Sequence, residues 1–534
     1  MSDIDFIIIC QSNVLNLSGL KNVPLDRPEL YANLVYPRGA HLKGGFRNHL
    51  DVINDWKYGQ FYEDSSYSQR RELLNIWNLP SASGFHIANV LVEYGINIHI
   101  INNFDSEFDI FEDIYSSCKT PPLVGISSTF YLSFKEVGRV AKRICSVDPD
   151  ADIVLGGAFA NAETIEGSVS DFEPQMRKHN IRYVMHSFNS ELDLLALINA
   201  RLKNKDFSKV PNLCFIEGNM KTGEFQETGS TWQQPVLDTT PVNWHRLNTD
   251  CLNRTLQIRT ASGCPFACSF CSYPTTAGGW KTMSDDVVRL HLDSISKMPN
   301  IDKLIFIDDT FNVPPHRFKK LLQIFCEYDF EWFSFLRVQY VDEEVVRLMR
   351  DSGCKGVYLG FESANDMILG NMNKRAKRAD FKRGLELLNK YGIYSLAAFI
   401  IGFPGETDET IRDNIEFIEN YGVQYYSTKE FFYIGHTSIH EQREKFGLTG
   451  MGNKWKHNTM DSVRASEIKL EMFKNIKNSV SIDPDLSLWY LAYLYDQGFS
   501  FDEIKQKQTD ISLLMSRQLS GDFSNLPVFE TEVA

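Results

Sequence analysis

Three cysteines within eight residues are the part of this sequence most able to do chemistry. The stretch Cys264-Pro265-Phe266-Ala267-Cys268-Ser269-Phe270-Cys271 has the spacing C-x3-C-x2-C. Thiolates are soft ligands and a [4Fe–4S] cluster normally takes four, so three on one loop would leave one iron open. Zinc would need a fourth cysteine or histidine, and neither His291 nor His316 stands at the usual finger spacing. Buried cysteines without a metal are the remaining interpretation, which Pro265 and Ser269 disfavour because they indicate a loop.

The octet resembles the signature of the radical SAM superfamily, including an aromatic residue, Phe270, directly before the third cysteine. The resemblance implies that Cys264, Cys268 and Cys271 ligate the cluster. It also implies that the open iron binds the amino and carboxylate groups of S-adenosylmethionine (SAM), and that Phe270 packs beside the adenine. One electron from the cluster would then cleave SAM to methionine and a 5′-deoxyadenosyl radical.

The elements that must position this loop alternate between apolar runs and helical patterns from residue 255 onward. This alternation predicts six parallel strands and five helices. The strands are predicted at Thr255–Thr260, Lys303–Asp308, Trp332–Val338, Gly356–Glu362, Leu396–Gly402 and Gln424–Glu430, and the helices near residues 285–297, 315–327, 342–352, 377–391 and 408–421. Six such units match the partial parallel barrel of radical SAM proteins, whose active-site residues lie at the carboxyl ends of the strands.

Polar residues stand where four of these strands end, in an order that resembles the SAM contacts of the family. The resemblance assigns SAM binding to Phe270, Asp308, Asp309, Arg337, Glu362, Ser363 and Gly402. Carboxylates and hydroxyls could accept hydrogen bonds from the amino group and ribose, and Arg337 could face the carboxylate. Each residue taken singly has a plainer role: Asp309 could cap a turn, Glu362 could pair with a lysine, and Gly402 could allow close packing. No catalytic acid or base is identified.

The first part of the chain predicts an open, doubly wound parallel sheet. An apolar run at residues 5–10 reads as a strand buried on both faces, and residues 11–83 read as an irregular insertion. Further strands are predicted at Ile96–Asn102, Leu123–Ser128, Asp152–Gly156, Arg182–His186 and Asn212–Glu217, and helices at Gly84–Tyr94, Glu107–Ser117 and Leu132–Ser146. The predicted domains are residues 1–215, a linker at 216–254 that includes Trp232 and Pro235, a core at 255–434 and a helical region at 435–534.

Two loops at strand ends in the first domain suit a large ligand. Ser127-Ser128-Thr129 offers small hydroxyl side chains, and Gly156-Gly157 lets a ligand approach the backbone, although Gly-Gly after a strand is often only a tight turn. The layout resembles that of radical SAM enzymes with a cobalamin-binding domain, which implies that these loops hold the nucleotide tail of the corrin. The sequence lacks Asp-x-His-x-x-Gly, so cobalt has no motif-defined lower ligand. A chain that had lost its cobalamin site would lack this motif as well.

Size and composition bound the remaining possibilities. A chain of 534 residues predicts two large domains and an appendage, and its net charge of −14 argues against a nucleic-acid groove. We expect no lysine-rich or arginine-rich block in the chain. With no signal peptide pattern and no apolar stretch able to span a bilayer, we expect a cytoplasmic protein. Six further cysteines are expected to be free and buried: Cys10, Cys118, Cys145, Cys214, Cys326 and Cys354.

Helices are also predicted at Ala465–Ile476, Leu486–Asp496 and Phe501–Leu519, and residues 521–534 are expected to fray. The aromatic stretch 488–495 predicts a helix packed against the barrel mouth, where one ring could touch a substrate.

The resemblances together imply a cobalamin-dependent radical SAM methyltransferase. It would methylate an unactivated carbon or a phosphinate phosphorus, with a small-molecule or peptide substrate and an external electron donor such as flavodoxin or ferredoxin. The same architecture supports cobalamin-assisted rearrangement, ring contraction or cyclisation without net methylation. An iron–sulfur redox or sensor protein is the non-enzymatic alternative, and it would leave the polar strand ends without a purpose.

Overall fold

A computed structural model describes residues 3–13, 39–42, 45–58, 72–131, 133–203, 206–231, 237–248, 250–277, 279–482 and 487–522. The described residues fall into two compact units. The first lies within residues 1–16, 65–258 and 286–301, and the second within 17–64, 259–285 and 302–534. Predictions for residues 14–38, 59–71 and 523–534, and for Leu132, Trp232, Pro235 and Leu486, lie outside the described residues.

The first unit is built on one seven-stranded sheet among its described residues. Its strands are β1 Phe6–Gln11, β2 Ile98–Asn103, β3 Leu123–Ser127, β4 Ile153–Gly156, β5 Tyr183–Met185, β6 Leu213–Glu217 and β7 Glu224–Glu227. Their order across the sheet is β2-β1-β3-β4-β5-β6-β7. The first five are parallel, and β6 and β7 add an antiparallel edge. The predicted doubly wound sheet is confirmed, and β7 lies inside the predicted linker.

Every residue of β1 is buried, as expected for a strand covered on both faces. Ile7 and Ile9 of β1 share one apolar cluster with Val124 and Ile126 of β3 and with residues of the flanking helices. The helices of this unit are Ala82–Glu93, Phe108–Ser117, Phe134–Val147, Ala158–Glu166, Phe172–His179 and Glu191–Leu202. The predicted helices are therefore present, with ends shifted by at most two residues.

The second unit contains a parallel sheet that carries the predicted barrel strands. After β8 Thr255–Ile258, which is counted with the first unit, the strands of this sheet are β9 Lys303–Phe306, β10 Glu331–Leu336, β11 Cys354–Glu362, β12 Tyr394–Ile401, β13 Tyr425–Glu430 and β14 Val480–Ser481. They follow one another in chain order across the sheet. The helices that alternate with them are Asp285–Ile295, Pro315–Phe325, Glu343–Asp351, Asp366–Asn371, Arg378–Lys390 and Asp408–Asn420.

Aromatic contacts show which face of this sheet the outer helices cover. Phe361 of β11 stacks on Phe381 with ring centroids 4.2 Å apart and contacts Phe417, both on flanking helices. Because side chains alternate along a strand, Tyr358, Gly360 and Glu362 face the opposite side. We call that side the lumen face.

The C-terminal region packs on the lumen face. Trp489, on the helix Ser487–Asp496, contacts Phe335 of β10, and Phe335 contacts Tyr358, with centroid separations of 5.5 and 5.3 Å. The longest described helix, Phe501–Leu519, follows it, and the helix Ser462–Asn475 precedes it. A small antiparallel sheet at Thr449–Met451, Lys454–His457 and Met460–Asp461 was not predicted in this region.

Part of the predicted insertion belongs to the second unit. The strands Gly39–Leu42 and Gly45–Asn48 form a hairpin that leads into the helix His49–Tyr58. The backbone of His41 exchanges two hydrogen bonds with the Gln518 side chain, of 2.8 and 2.6 Å. These partners stand 477 residues apart in the sequence. No local pattern could therefore place the hairpin.

The expectation for the scattered cysteines is only partly correct. All are free thiols, and Cys10, Cys214 and Cys354 are buried. Cys118 and Cys145 are half-buried and Cys326 is exposed, because they lie near helix ends rather than on strands. Among the described helices, none combines the length and apolar content that crossing a bilayer requires.

Candidate active site

The cysteine loop begins at a turn that only glycine can form. Strand Ala261–Ser262 pairs with Lys281–Thr282, and Gly263 follows with a φ of +80°. A Cβ atom on Gly263 would lie 2.0 Å from the carbonyl oxygen of Gly279. The chain can therefore turn closely into the loop only without a side chain at this position.

A segment more than a hundred residues downstream holds the loop in place. Ser269 donates hydrogen bonds from its N–H to the carbonyl of Met372, at 2.9 Å, and from its hydroxyl to the carbonyl of Asn371, at 2.8 Å. Asn373 donates from its amide to the carbonyl of Ala267, at 2.7 Å. These bonds fix the peptide groups between the thiols and so limit where the sulfur atoms lie.

Each of two thiols has a polar neighbour in the barrel. Sγ of Cys264 lies 3.0 Å from the hydroxyl of Thr310, and Nη2 of Arg337 donates to Sγ of Cys268 at 3.0 Å. Burial raises the pKa of Cys271 to about 11. The thiolate is the form that binds metal, and a hydroxyl and a guanidinium can both donate hydrogen bonds to it.

Within the described residues, no three histidine, cysteine or carboxylate side chains converge as a single metal ion requires. A four-iron cluster needs no such convergence, because each thiolate binds a different iron atom. The donor set, three thiols on one loop with a guanidinium beside one of them, therefore fits a cluster. His291 does not complete a zinc site, because its Nδ1 accepts a hydrogen bond of 2.9 Å from Trp244.

Arg337 is fixed by contacts along its whole length. Its backbone exchanges hydrogen bonds of 3.0 and 2.9 Å with the Asn312 side chain, and Nη1 donates to the carbonyl of Lys374 at 3.1 Å. The guanidinium lies 3.6 Å from the ring centroid of Phe266. Arg337 is thus positioned toward Cys268, whereas the sequence predicted that it would face the SAM carboxylate.

Two residues assigned to SAM from the sequence are used elsewhere. Asp308 is fully buried, and its carboxylate accepts hydrogen bonds from the backbone of Thr260 and Ala261 and from the Thr260 hydroxyl. Ser363 is also fully buried and donates to Asn414 at 3.3 Å. Both side chains therefore already have partners inside the protein: Asp308 anchors the start of the cysteine loop, and Ser363 closes a turn. Their assignment to SAM stays a prediction.

Asp309, the neighbour of Asp308, keeps access to solvent. The residue is exposed, and desolvation of its carboxyl group by neighbouring protein atoms raises the pKa to about 6. A hydrogen bond from the Tyr273 hydroxyl acts in the opposite direction. Asp309 is therefore the member of the pair that can receive a ligand.

Glu362 sits in a strained conformation at the end of β11. Its φ is +66°, and the register of β11 against β12 shifts between Gly360 and Glu362. Such bulges re-aim a side chain, and strain of this kind costs about 1–3 kcal/mol. The carboxylate forms a buried ion pair of 2.9 Å with Lys374, whose Nζ lies 5.9 Å from the ring centroid of Phe270. The plainer role, pairing with a lysine, is therefore present at the edge of the cysteine loop.

Gly402 is required for packing. Its φ is +87°, and a Cβ atom there would lie 2.4 Å from the ring of Trp455. The backbone around it is also held, since Gly402 donates to the buried carboxylate of Glu406 at 2.6 Å and its carbonyl lies 3.1 Å from Nε2 of His457. Both hydrogen-bonding groups of Gly402 therefore already have partners, and its assignment to SAM stays a prediction.

In the first unit, the two predicted loops contact each other. Ser128 donates from both its N–H and its hydroxyl to the carbonyl of Gly156, each at 2.7 Å. Gly157 has a φ of +104°, and a Cβ atom on it would lie 2.9 Å from the N–H nitrogen of Ser128. A tight turn therefore explains at least part of the need for glycine at positions 156 and 157.

Beside these loops lies a group of hydroxyls, which we call the hydroxyl cluster: Ser83, Ser127 and Thr129. Ser127 and Thr129 are 3.2 Å apart, and the Ser83 hydroxyl lies 3.5 and 3.4 Å from them. Ser83 comes from the first turn of the helix Ala82–Glu93, far from the loops in sequence. Ser127 and Thr129 stand at the carboxyl end of β3, where α/β sheets bind ligands, and Ser83 lies next to them.

The residues that complete the cysteine-loop site and the hydroxyl cluster were not predicted from the sequence. Lys374, Asn312 and Thr310 contact the site residues of the second unit, and Ser83 completes the hydroxyl cluster. Thr310 alone carried a signal, since it follows two aspartates at a strand end. The others lie in loops or helices whose local pattern has no link to the site.

Comparisons with known proteins agree with this geometry. Residues 258–418 match the family model described as the radical SAM superfamily. An uncharacterized methyltransferase of Pyrococcus horikoshii is 27% identical over 326 residues, which cover 59% of this chain and 68% of that protein. An anaerobic magnesium-protoporphyrin IX monomethyl ester cyclase of Cereibacter sphaeroides is 30% identical over 227 residues, 38% of this chain and 35% of that protein. The chain thus spans about a third of the second relative's length.

A solved structure shares the fold at low sequence identity. It is the radical S-adenosylmethionine methyltransferase TsrM from Kitasatospora setae, with cobalamin and a [4Fe-4S] cluster bound. The TM-score is 0.52 at 17% identity, and the match covers 68% of this chain and 72% of TsrM. The family match, the cysteine loop and the parallel sheet agree: residues 258–418 form a radical SAM domain, and the chain shares the fold of a cobalamin-bound radical SAM methyltransferase.

Proposed function

We propose that the protein is a cobalamin-dependent radical SAM methyltransferase that acts on an unactivated carbon or a phosphinate phosphorus of a small molecule or peptide. One observation carries the proposal: three thiols on one loop, with Arg337 bonded to Cys268, lie beside the strand ends of a parallel sheet. The same chain holds a doubly wound unit whose strand ends carry small hydroxyl residues. The methyltransferase relative and the cobalamin-bound structure support this reading.

The residues of the second unit divide the work of holding cluster and SAM. Cys264, Cys268 and Cys271 would bind the cluster, while Arg337 balances the negative charge at sulfur. Asp309 and Glu362 are carboxylates able to accept from the amino group and ribose of SAM. When bound, the cluster and SAM supply a radical that abstracts hydrogen from the substrate, and cobalamin supplies the methyl group.

We expect Phe270 to orient the adenine. Its ring meets that of Phe403 edge to face at 6.4 Å, and Nζ of Lys374 lies 5.9 Å from its centroid. On the lumen face, Phe335, Tyr358 and Trp489 form an aromatic floor below Glu362. Such a floor excludes water and offers apolar area to a substrate. We therefore propose Trp489 as the aromatic residue of this helix that contacts the substrate.

The hydroxyl cluster of the first unit is the proposed place for the nucleotide tail of cobalamin. Three small side chains leave room at the sheet edge, and hydroxyls both donate and accept hydrogen bonds. Since the sequence lacks the motif that places a histidine beneath cobalt, we propose a cobalamin without a protein imidazole ligand.

The direct test is anaerobic reconstitution with iron, sulfide and cobalamin, followed by dithionite and SAM with a deuterated methyl group. We expect 5′-deoxyadenosine and S-adenosylhomocysteine to be released. Cys264→Ala, Cys268→Ala and Cys271→Ala should each lose the brown absorbance and both products, whereas Cys326→Ala should retain them. Loss of the cluster in Cys326→Ala, or no 5′-deoxyadenosine from the wild type, would contradict the proposal.

A second candidate is a cobalamin-assisted rearrangement or cyclisation without net methylation. The cyclase relative supports it, over about a third of that protein's length. The two candidates differ in the fate of the deuterated methyl group, which a methyltransferase places in the product and a cyclase does not. An iron–sulfur sensor would bind the cluster but release no 5′-deoxyadenosine.

A further inference from the structure

A short basic segment stands out against the acidic charge of the chain. Residues 374–383 contain six lysines or arginines and one aspartate, in a chain of net charge −14. They are Lys374, Arg375, Lys377, Arg378, Lys382 and Arg383. This segment corrects the expectation that the chain holds no lysine-rich or arginine-rich block. It spans a loop and the first turns of the helix Arg378–Lys390.

Several of these charges are already compensated. Lys374 pairs with Glu362, Arg378 pairs with Glu416 at 2.8 Å, and Arg383 pairs with Asp380 at 3.3 Å. Arg375 and Lys377 are exposed, and neither side chain has an acidic partner among the residues that the structure describes. Two exposed cations, two residues apart, therefore face solvent.

These cations lie beside the point where the cysteine loop reaches the surface. Pro265 and Ala267 are exposed, and Asn373, also exposed, donates to the carbonyl of Ala267 at 2.7 Å. Arg375 has a φ of +54°, which a non-glycine residue adopts rarely and which fixes the turn that carries it. We call this surface the basic rim and define it by Ala267, Asn373, Arg375 and Lys377.

We propose that the basic rim docks an acidic one-electron carrier protein of the flavodoxin class, an inference that rests on the proposed function. SAM cleavage needs one electron, which leaves the reduced carrier and enters the cluster while no atom changes hands. An acidic carrier is repelled by most of a chain of net charge −14, so a local positive surface beside the cluster ligands decides where it approaches.

Charge reversal at the rim tests the proposal. In the variant Arg375→Glu/Lys377→Glu, we expect oxidised flavodoxin to bind about tenfold or more weakly at low salt, as measured by calorimetric titration. The difference from the wild type should shrink as salt screens the charges. Stopped-flow absorbance should show slower cluster reduction by reduced flavodoxin, whereas SAM cleavage driven by dithionite should be unchanged.

The matched control is Lys474→Glu/Lys477→Glu, which reverses two exposed lysines elsewhere in the second unit. Equal weakening in the control would mean that net charge alone decides binding, and unchanged binding in the rim variant would place the carrier elsewhere; either result overturns the proposal. So would a loss of dithionite-driven cleavage in the rim variant. If the wild type cleaves no SAM with dithionite, the proposed function fails, and flavodoxin binding reports on the rim separately.

Discussion

Nη2 of Arg337 donates a hydrogen bond of 3.0 Å to Sγ of Cys268. The Asn312 side chain holds the Arg337 backbone by two hydrogen bonds, so the charge is placed before any ligand arrives. A fixed positive charge beside sulfur stabilises the thiolate and the more reduced state of a centre bound to it. Arg337 therefore has a second expected role, which is to stabilise the cluster through Cys268, in addition to its predicted contact with the SAM carboxylate.

Arg337→Gln separates these two roles. We expect the variant to assemble its cluster but to require a more negative potential for reduction, because the compensating charge is gone. The measurement is a redox titration followed by electron paramagnetic resonance, with iron content as the control for assembly. An unchanged reduction potential together with weaker SAM binding would show that Arg337 acts on the SAM carboxylate and not on the cluster.

Glu362 and Lys374 call for a double-variant cycle. Glu362→Ala leaves Lys374 buried without its partner, which should lower stability by about 3 kcal/mol. Glu362→Ala/Lys374→Met should regain most of that loss, because no unpaired charge remains. SAM affinity should stay reduced about ten- to a hundredfold in both variants, since the lost hydrogen bond to a charged group is worth about 1.5–3 kcal/mol.

The readouts for this cycle are the denaturation midpoint and equilibrium dialysis of SAM. If the double variant binds SAM as tightly as the wild type does, Glu362 is structural only.

The hydroxyl cluster gives a prediction for cobalamin. Ser83→Leu/Thr129→Val should fill the space at the sheet edge and remove two hydroxyls, and so reduce cobalamin binding while iron content stays normal. Ser146→Leu, at an exposed helix end of the same unit, is the control. Bound cobalamin is counted by its absorbance after gel filtration.

In the wild type, the resonance spectrum of cob(II)alamin should lack nitrogen splitting from an axial imidazole. Clear nitrogen splitting would contradict the prediction that cobalt has no protein imidazole ligand. A wild type that never binds cobalamin in stoichiometric amount would remove the assignment of the first unit.

His291 predicts how stability depends on pH. Burial lowers the pKa of its imidazole from 6.5 to about 4, and its Nδ1 accepts the indole N–H of Trp244. Because the folded pKa lies below the unfolded one, its contribution is full above pH 6.5 and is lost as pH falls toward 4. The loss at pH 5 is about 2 kcal/mol. His291→Gln, which keeps an acceptor for Trp244, should show a smaller fall in thermal midpoint between pH 7 and pH 5. An equal fall would show that other groups set the acid sensitivity.

The sequence by itself determined the chemistry of the cysteine loop and the order of strands and helices. Ligand type and spacing are local properties, so C-x3-C-x2-C predicts a cluster before any fold is known. Hydrophobic period is local as well, and the strands from β1 to β13 other than β7 lie close to where apolar runs predicted them. Strand ends could therefore be named as sites, which brought Asp309, Arg337 and Glu362 into view.

Only the tertiary structure decided what each side chain contacts. It committed Asp308 to Thr260 and Ser363 to Asn414, aimed Arg337 at Cys268, and supplied Lys374 from a loop with no motif. It also joined Ser83 to Ser127, 44 residues apart. The reason is physical: a buried polar group must find a partner, and the nearest one in space is set by how strands and loops pack.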